Sequence, residues 1–257
     1  MPAARPTGAR LTDHREAGRI AEAAGRLLLD LRGGVRDDVR ALRGRADRES
    51  NRLILAELAA AFPGEPVLSE ESADDGAARL AAERVWVVDP LDGTREYGEP
   101  GRTDWAVHVA LVRAGDPVAG AVALPARGLV LTSEARPPGP VAAGQPPRLV
   151  VSRSRPPAVA DAIRAALGAD LVPLGSAGAK AMAVVLGEAD VYAHAGGQYE
   201  WDSAAPVAVA AAAGLHVSRL DGSPLRYNQP DPWLPDLLIC RPQLAAAALA
   251  AAAQQQS

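Results

Sequence analysis

The stretch Trp86–Thr94 reads WVVDPLDGT. A strand-like apolar run ends there in two acids three residues apart, with Pro90 between them and Gly93 and a hydroxyl behind. Pro90 fixes its own φ and removes a backbone donor, so the strand is expected to end at that point. Gly93 permits a tight turn and leaves the following N–H groups available to an anion. Asp89 and Asp92, placed where the backbone turns, must be neutralised by something.

Two more acids belong to the same question: Glu70 in SEES (69–72) and Asp202 in EWDSAA (200–205). If all four meet, each pair of like charges about 4 Å apart costs roughly 4 kcal/mol at an effective dielectric near 20. Such a cluster either protonates or holds cations. Oxygen donors without a neighbouring Cys or His favour Mg²⁺ over zinc. Two such ions about 3.5–4 Å apart are a device for hydrolysing a phosphate ester. Each acid alone has a plainer use. Asp89 or Asp92 can cap a turn, Glu70 beside Glu71 can be solvated, and Asp202 or Asp47 can open a helix as its N-cap.

The rest of the chain sets limits. With 257 residues and 48% hydrophobic content it can bury a sizeable core, in one large domain or two coupled halves. A net charge of −4, from 27 basic and 31 acidic residues, argues against a protein that coats nucleic acid. Cys240 is the single cysteine, so no intrachain disulfide or thiolate cluster forms, and a cytoplasmic setting is expected. No apolar run reaches the roughly 20 residues of a membrane span. The opening MPAARPTGAR lacks the apolar centre of a secretory signal and reads as a frayed tail.

Periodicity predicts a first helix over 12–34, with Asp13 and Glu16 at capping-box spacing and Ile20, Ala24, Leu27, Leu28 and Leu31 on one face. A second helix is expected from about Asp47 to Phe62, with Ile54, Leu58, Ala61 and Phe62 inward. PVLSEES is a short strand running into an acidic loop, and RVWVV is a buried strand without alternation. DWAVHVALV, PVAGAVAL and GLVLTSE follow at the spacing of an antiparallel meander. The Pro/Gly-rich segment 137–147 is the clear break in composition and reads as an exposed connection. After it, strands (RLVVS, LVPLG, ADVYAH) alternate with helices (PAVADAIRAALG, AGAKAMAVVLG, DSAAPVAVAAAAG), the pattern of an α/β half. Late strands LHVSRL and DLLIC and an Ala-rich helix end the chain. Two halves of different type, 1–136 with an antiparallel sheet and 148–257 of α/β kind, are expected to share a cleft. His108, His194, Trp105 and Trp201 read as strand and packing residues.

VLSEES, VWVVDPLDGTREY and EWDSAAPVAVAAAAG, in this order, resemble the inositol monophosphatase-like superfamily of Mg²⁺-dependent, lithium-sensitive phosphatases over nearly the whole chain. Arg95-Glu96 after DGT, together with GSAGAKAMAVV and DGSPLRYNQPDPWLPDLLIC, resembles its actinobacterial CysQ-type branch of 3′-phosphoadenosine 5′-phosphate phosphatases. The resemblance implies a layered α-β-α-β-α sandwich of the inositol monophosphatase/fructose-1,6-bisphosphatase type. It implies that Glu70, Asp89 and the Leu91 carbonyl hold one metal and that Asp89, Asp92 and Asp202 hold a second. A third, weaker ion near Glu70 and Mn²⁺ as a substitute belong to the same expectation. The N–H groups of Gly93 and Thr94 would cradle the phosphate, with Glu70, Thr94 and Asp47 handling the attacking water. Gly175, Ser176 and Lys180 match a G-S-x-x-x-K substrate element, with Lys180, or else Arg95, meeting a second phosphate. The alternative for Lys180 is a lysine covering a strand-to-helix turn. Glu200 matches an acid that touches a substrate hydroxyl. The implied activity is removal of the 3′-phosphate of 3′-phosphoadenosine 5′-phosphate, a by-product of sulfate activation, by an enzyme commonly dimeric. The alternatives are an inositol-1-phosphate or fructose-1,6-bisphosphate phosphatase, or a non-catalytic phospho-ligand binder on the same scaffold.

Overall fold

The computed structural model describes residues 9–33, 38–134 and 145–255. The expected N-terminal tail, up to residue 8, and the Pro/Gly-rich connection, up to residue 144, lie outside them. Helix α1 (Leu11–Gly33) buries Ile20, Ala24 and Leu28 as its periodicity requires. Its cap differs from the expected one. Asp13 is already inside the helix and reaches back to accept the Arg10 N–H at 2.7 Å, while Arg84 closes a buried ion pair on it at 2.9 Å.

Helix α2 (Val39–Ala61) starts well before Asp47, with the Asp38 side chain accepting from Arg40 N–H. The expected start at Asp47 is therefore corrected: Asp47 lies in mid-helix. Gly44 costs a helix about 1 kcal/mol, too little to stop it while Leu42 and Ala46 on either side are buried. Ala61 is exposed, and Phe62 sits just past the helix end with its ring 4.7 Å from that of Trp86.

The first sheet holds β1 (Val67–Ser69), β2 (Arg84–Asp92), β3 (Ala106–Arg113), β4 (Asp116–Leu124) and β5 (Leu129–Thr132), in that spatial order. Short helices α3 (Gly76–Ala81) and α4 (Thr94–Tyr97) flank β2. β1 runs parallel to β2, and β2 through β5 form the expected meander. β2 does not end at Pro90. It passes through a bulge, with Asp89 opposite His108 and Asp92 opposite Ala106, so Pro90 and Leu91 share one partner position. The missing proline donor falls where the ladder is already interrupted, which is how a strand tolerates it.

The second sheet is built from β6 (Arg148–Ser152), helix α5 (Val159–Leu167), β7 (Asp170–Leu174), helix α6 (Ala177–Val185), β8 (Val191–Tyr199), helix α7 (Glu200–Ala212), β9 (His216–Ser218) and β10 (Trp233–Cys240). Its order is β7-β6-β8-β10-β9; the first three are parallel and β10 is antiparallel to both neighbours. Helix α8 (Pro242–Ala253) follows.

Three apolar clusters define five layers. Trp86 and Val88 of β2 face Ile20, Leu28 and Ile54 of α1 and α2. The alternate residues Val85 and Val87 face a central cluster with Met182 and Val184 of α6 and Val209 of α7, which continues into Val150 and Leu237 of the second sheet. The far side of that sheet packs Ile163 of α5 and Ala248 of α8. The layering is α-β-α-β-α, and both sheets share the middle core. Close approach of α7 to the first sheet depends on Gly120, where a Cβ would lie 2.8 Å from the Ala208 Cβ. Among the described residues, no helix is long and apolar enough to cross a membrane.

Candidate active site

The bulge of β2 and the start of α7 bring carboxylates together. Asp89, Asp92 and Asp202 each offer an oxygen within 4.8 Å of the others'. Asp202 is the third residue of α7, not its N-cap, and its Oδ2 accepts the Tyr199 N–H at 2.6 Å. Asp89 is buried and, among the described residues, accepts a single backbone hydrogen bond, from the Leu91 N–H at 3.0 Å. Burial, and then the charges of Glu70, Asp92 and Asp202, push its carboxyl well above the usual range. Glu70 stands on the loop after β1 and is exposed as a whole; burial of its carboxyl end and then the Asp202 charge push it up to about 7. Burial and Asp92 raise Asp202 to about 6. Among the described residues no Lys or Arg forms an ion pair with Glu70, Asp89 or Asp202. The cluster is short of positive charge.

Asp92 is different. Its Oδ2 accepts from Ser176 Oγ at 2.5 Å and Gly178 N–H at 2.6 Å, and its Oδ1 accepts from Ala177 N–H at 3.0 Å. His108 Nε2 lies 3.2 Å from Oδ2. Burial opposes its ionisation, but the charge of His108 at 3.2 Å, followed by that of Lys180 and the Ser176 hydrogen bond, outweighs it and holds Asp92 at about 2. With Oδ2 saturated, the remaining acceptor capacity toward a metal is on Oδ1. One residue of the proposed ligand set thus also fastens the first turn of α6 to the first sheet. His108 is fully buried, with Nδ1 3.0 Å from the Trp201 carbonyl, so it ties β3 to α7 as well. Gly178 is required beside it, since a Cβ there would fall 2.1 Å from His108 Nε2. Neither residue belongs to the site expected from the sequence, where His108 counts among the strand and packing residues. A lone histidine in an otherwise apolar strand was the available signal.

The turn after the bulge is formed as expected. Gly93 has φ 83°, and a Cβ there would meet the Ser176 Cβ at 3.0 Å. Thr94 Oγ1 lies 3.1 Å from the Leu91 carbonyl and 3.4 Å from Asp47 Oδ1. Burial, and then Glu71, push Asp47 up to about 7. Two residues that the sequence did not single out hold α2 against this turn. Ser50 Oγ donates to the Pro90 carbonyl at 2.8 Å, and Asn51 bridges Ser69 and Ser72 on the Glu70 loop.

A cavity of about 880 Å³ opens beside the acids, lined among others by Asp92, Asp202, Arg95, Arg155, Lys180 and Tyr199. Gly175 and Ser176 line it too; a Cβ at Gly175 would strike the Glu96 side chain at 2.3 Å. Glu96 is held by Arg153 at 2.7 Å, and exposed Arg95 pairs with Glu99 at 3.2 Å. Lys180 is buried, and its ammonium donates to the carbonyls of Gly175 and Ser176. It supports the turn, and burial lowers its pKa. Glu200 departs from its expected place. It is fully buried and accepts the N–H groups of Asn228 and Gln229 at 2.6 and 2.8 Å, so both oxygens serve the loop before β10.

The profile of the Inositol monophosphatase family matches residues 14–257. The chain is 55% identical over 239 residues to the "3′-phosphoadenosine 5′-phosphate phosphatase" of Mycobacterium bovis, covering 90% of this chain and 89% of that protein. It is 33% identical over 199 residues to the "3′(2′),5′-bisphosphate nucleotidase CysQ" of Escherichia coli, covering 74% and 80%. Among solved structures it is similar to CysQ from Bacteroides thetaiotaomicron, with a TM-score of 0.76, 28% identity, and 90% and 97% of the two chains covered.

Proposed function

This chain belongs to the inositol monophosphatase family, and from that premise we propose that it hydrolyses the 3′-phosphate of 3′-phosphoadenosine 5′-phosphate to give AMP and phosphate. The observation that carries the reading is the 55% identity, over nine-tenths of the chain, to a phosphatase named for that substrate. The site agrees with phosphate-monoester hydrolysis. Three carboxylates converge, of which Asp89 and Asp202 have no Lys or Arg ion-pair partner among the described residues, and the donor set is oxygen throughout, which fits Mg²⁺. Mg²⁺ bound there supplies polarisation of the phosphate oxygens and a water of lowered pKa.

The protein groups do the rest. The N–H groups at Gly93 and Thr94 face the phosphate from the turn that the Gly93 conformation creates. Glu70 and Thr94 Oγ1 orient the water. Its oxygen bonds to phosphorus as the bond to the ribose 3′ oxygen breaks; one water proton passes by way of Thr94 Oγ1 to Asp47, the other stays on the phosphate, and the leaving ribose oxygen takes a proton from a solvent water, to which Asp47 then returns the proton it gained. The second phosphate needs a cation. Arg155 is exposed on the cavity wall and forms no ion pair among the described residues, whereas the Lys180 ammonium already has two carbonyls. Arg155 is therefore the better-placed cation, ahead of Lys180 and Arg95. Clearance of a sulfate-activation by-product in the cytoplasm, by a homodimer, belongs to the same proposal.

Phosphate release from 3′-phosphoadenosine 5′-phosphate, inositol 1-phosphate and fructose 1,6-bisphosphate, each with Mg²⁺ and with chelator, tests it. Preference for the nucleotide and loss of turnover in chelator are expected. Faster turnover of either sugar phosphate sinks the substrate assignment.

A further inference from the structure

The cavity beside the acids has a wall that phosphate chemistry does not use. Near its end, β8 carries Gly196 and Gly197 at φ 96° and 92°. Across from them the pairing with β10 steps from Gln198–Leu234 to Ala195–Asp236, a bulge that re-aims the residues after it. A Cβ at Gly197 would lie 2.6 Å from Trp233 Nε1, so glycine lets the indole lie across the strand. Tyr199 and Trp233 are cross-strand partners, both line the cavity, and they remain 46% and 48% exposed. Trp201 stacks on Tyr199 at 4.7 Å and 10°, fixing that ring in place. Large aromatic surface left open inside a polar cavity is suited to a flat, apolar-faced ligand.

A second observation is independent of the first. Gln198 lines the same cavity, is 7% exposed, and has no hydrogen-bond partner for either amide atom among the described residues. Buried amides without partners are rare and call for one from outside the fold. A glutamine amide offers a donor and an acceptor side by side, which matches two adjacent positions on the edge of adenine. The wall is also at the right end of the molecule. The N–H that donates to Asp202 Oδ2 at 2.6 Å belongs to Tyr199, the residue next to Gln198.

We infer that the adenine ring of the substrate is held here, its face against Tyr199 and Trp233 and its edge read by the Gln198 amide. The inference rests on the nucleotidase reading above. It is tested by kcat/KM for 3′-phosphoadenosine 5′-phosphate and for ribose 3,5-bisphosphate, which lacks the base, in the wild type and in Gln198→Met, Tyr199→Leu and Trp233→Leu. The wild type is expected to prefer the nucleotide, and each variant to reduce that preference about five- to tenfold, the scale of one hydrogen bond or one stacking contact. Gln198→Met removes an amide that has no partner among the described residues, so its melting temperature should equal or exceed the wild type's. A lower one means that the amide is paired inside the fold, and overturns its reading role. Preference ratios unchanged in all three variants overturn the base site while leaving the nucleotidase standing. A wild type that turns over inositol 1-phosphate and not the nucleotide defeats the nucleotidase reading itself.

Discussion

Asp89 and Asp92 lie three residues apart and carry the same charge, yet asparagine at each is expected to move stability in opposite directions when metal is absent. Asp92 is held at about 2 against an ordinary 3.8. At about 1.4 kcal/mol per unit, that difference favours the ionised folded form by about 2 kcal/mol. Asparagine keeps one acceptor oxygen and turns an amide toward donors that the carboxylate satisfied: Ser176 Oγ and the N–H groups of Ala177 and Gly178. A buried donor left unpaired costs roughly 1–3 kcal/mol. Together Asp92→Asn should lose on the order of 3–5 kcal/mol, or roughly 6–20 °C in a chain of this size. Asp89 has the reverse balance. It accepts one N–H, from Leu91, which asparagine can still accept, and it faces Glu70, Asp92 and Asp202. Asp89→Asn removes the most repelled charge and should hold or raise the melting temperature at pH 8. Both variants should lose phosphate release by roughly a hundredfold or more. Thermal unfolding followed by circular dichroism in chelator reads the difference. A shift of the same sign for both variants, or an unchanged Asp92→Asn, refutes the assignment of Asp92 as the fastening of α6.

Other outcomes can be checked alongside. Asp47 and Glu70 at about 7 and Asp202 at about 6 all lie above their unfolded values, so the folded state holds extra protons between roughly pH 4 and 7, and stability falls as pH rises through that window. Metal-free protein should melt higher at pH 5.5 than at pH 8, with Mg²⁺ narrowing the gap; a melting temperature that climbs over this range would contradict the charge-starved cluster. Arg155→Ala should lower kcat/KM for 3′-phosphoadenosine 5′-phosphate more than for adenosine 3′-monophosphate, by a factor of about ten, while Lys180→Met should lower both alike along with the melting temperature. The opposite pattern returns the second phosphate to Lys180. Li⁺, close to Mg²⁺ in size with half its charge, should inhibit at concentrations where Na⁺ does little, and equal effects at matched ionic strength would count against the oxygen-lined site.

What could be read from the chain before folding was what depends on near neighbours. The bulge acids, the Gly93 turn and the meander are encoded within a few residues of one another, and hydrophobic periodicity located most helices and strands. Gly44 and the arginines around it mask, in sequence, the first turns of α2 that burial of Leu42 and Ala46 sustains. Lys180 follows the alternative reading, a lysine on its own strand-to-helix turn, whose partners are four and five residues away. The roles of His108 and Glu200 lie out of reach for another reason: each is fixed by partners that only the fold supplies, Asp92 against α6 and the backbone of residues 228 and 229. The composition of a polar residue's surroundings tells whether it is functional or merely satisfied, and those surroundings come from distant parts of the sequence.

The seat of α7 on the first sheet has a consequence for how this enzyme can be tuned. Gly120 comes closest to Ala205 and Ala208, and the same helix carries Asp202 about one turn before Ala205. The helix behaves as a spacer whose thickness sets the reach of the third carboxylate. An added methyl group at Gly120 must lift the helix or bend the strand, because a Cβ there would also come within 3.2 Å of the Ala205 carbonyl oxygen. Any such lift is transmitted along the helix to the Asp202 carboxylate, which as the proposed third metal ligand has a useful range of a few tenths of an ångström. Catalytic output is therefore under the control of a contact that touches neither metal nor substrate, and drift at Gly120, Ala205 or Ala208 can retune the centre without changing one of its ligands.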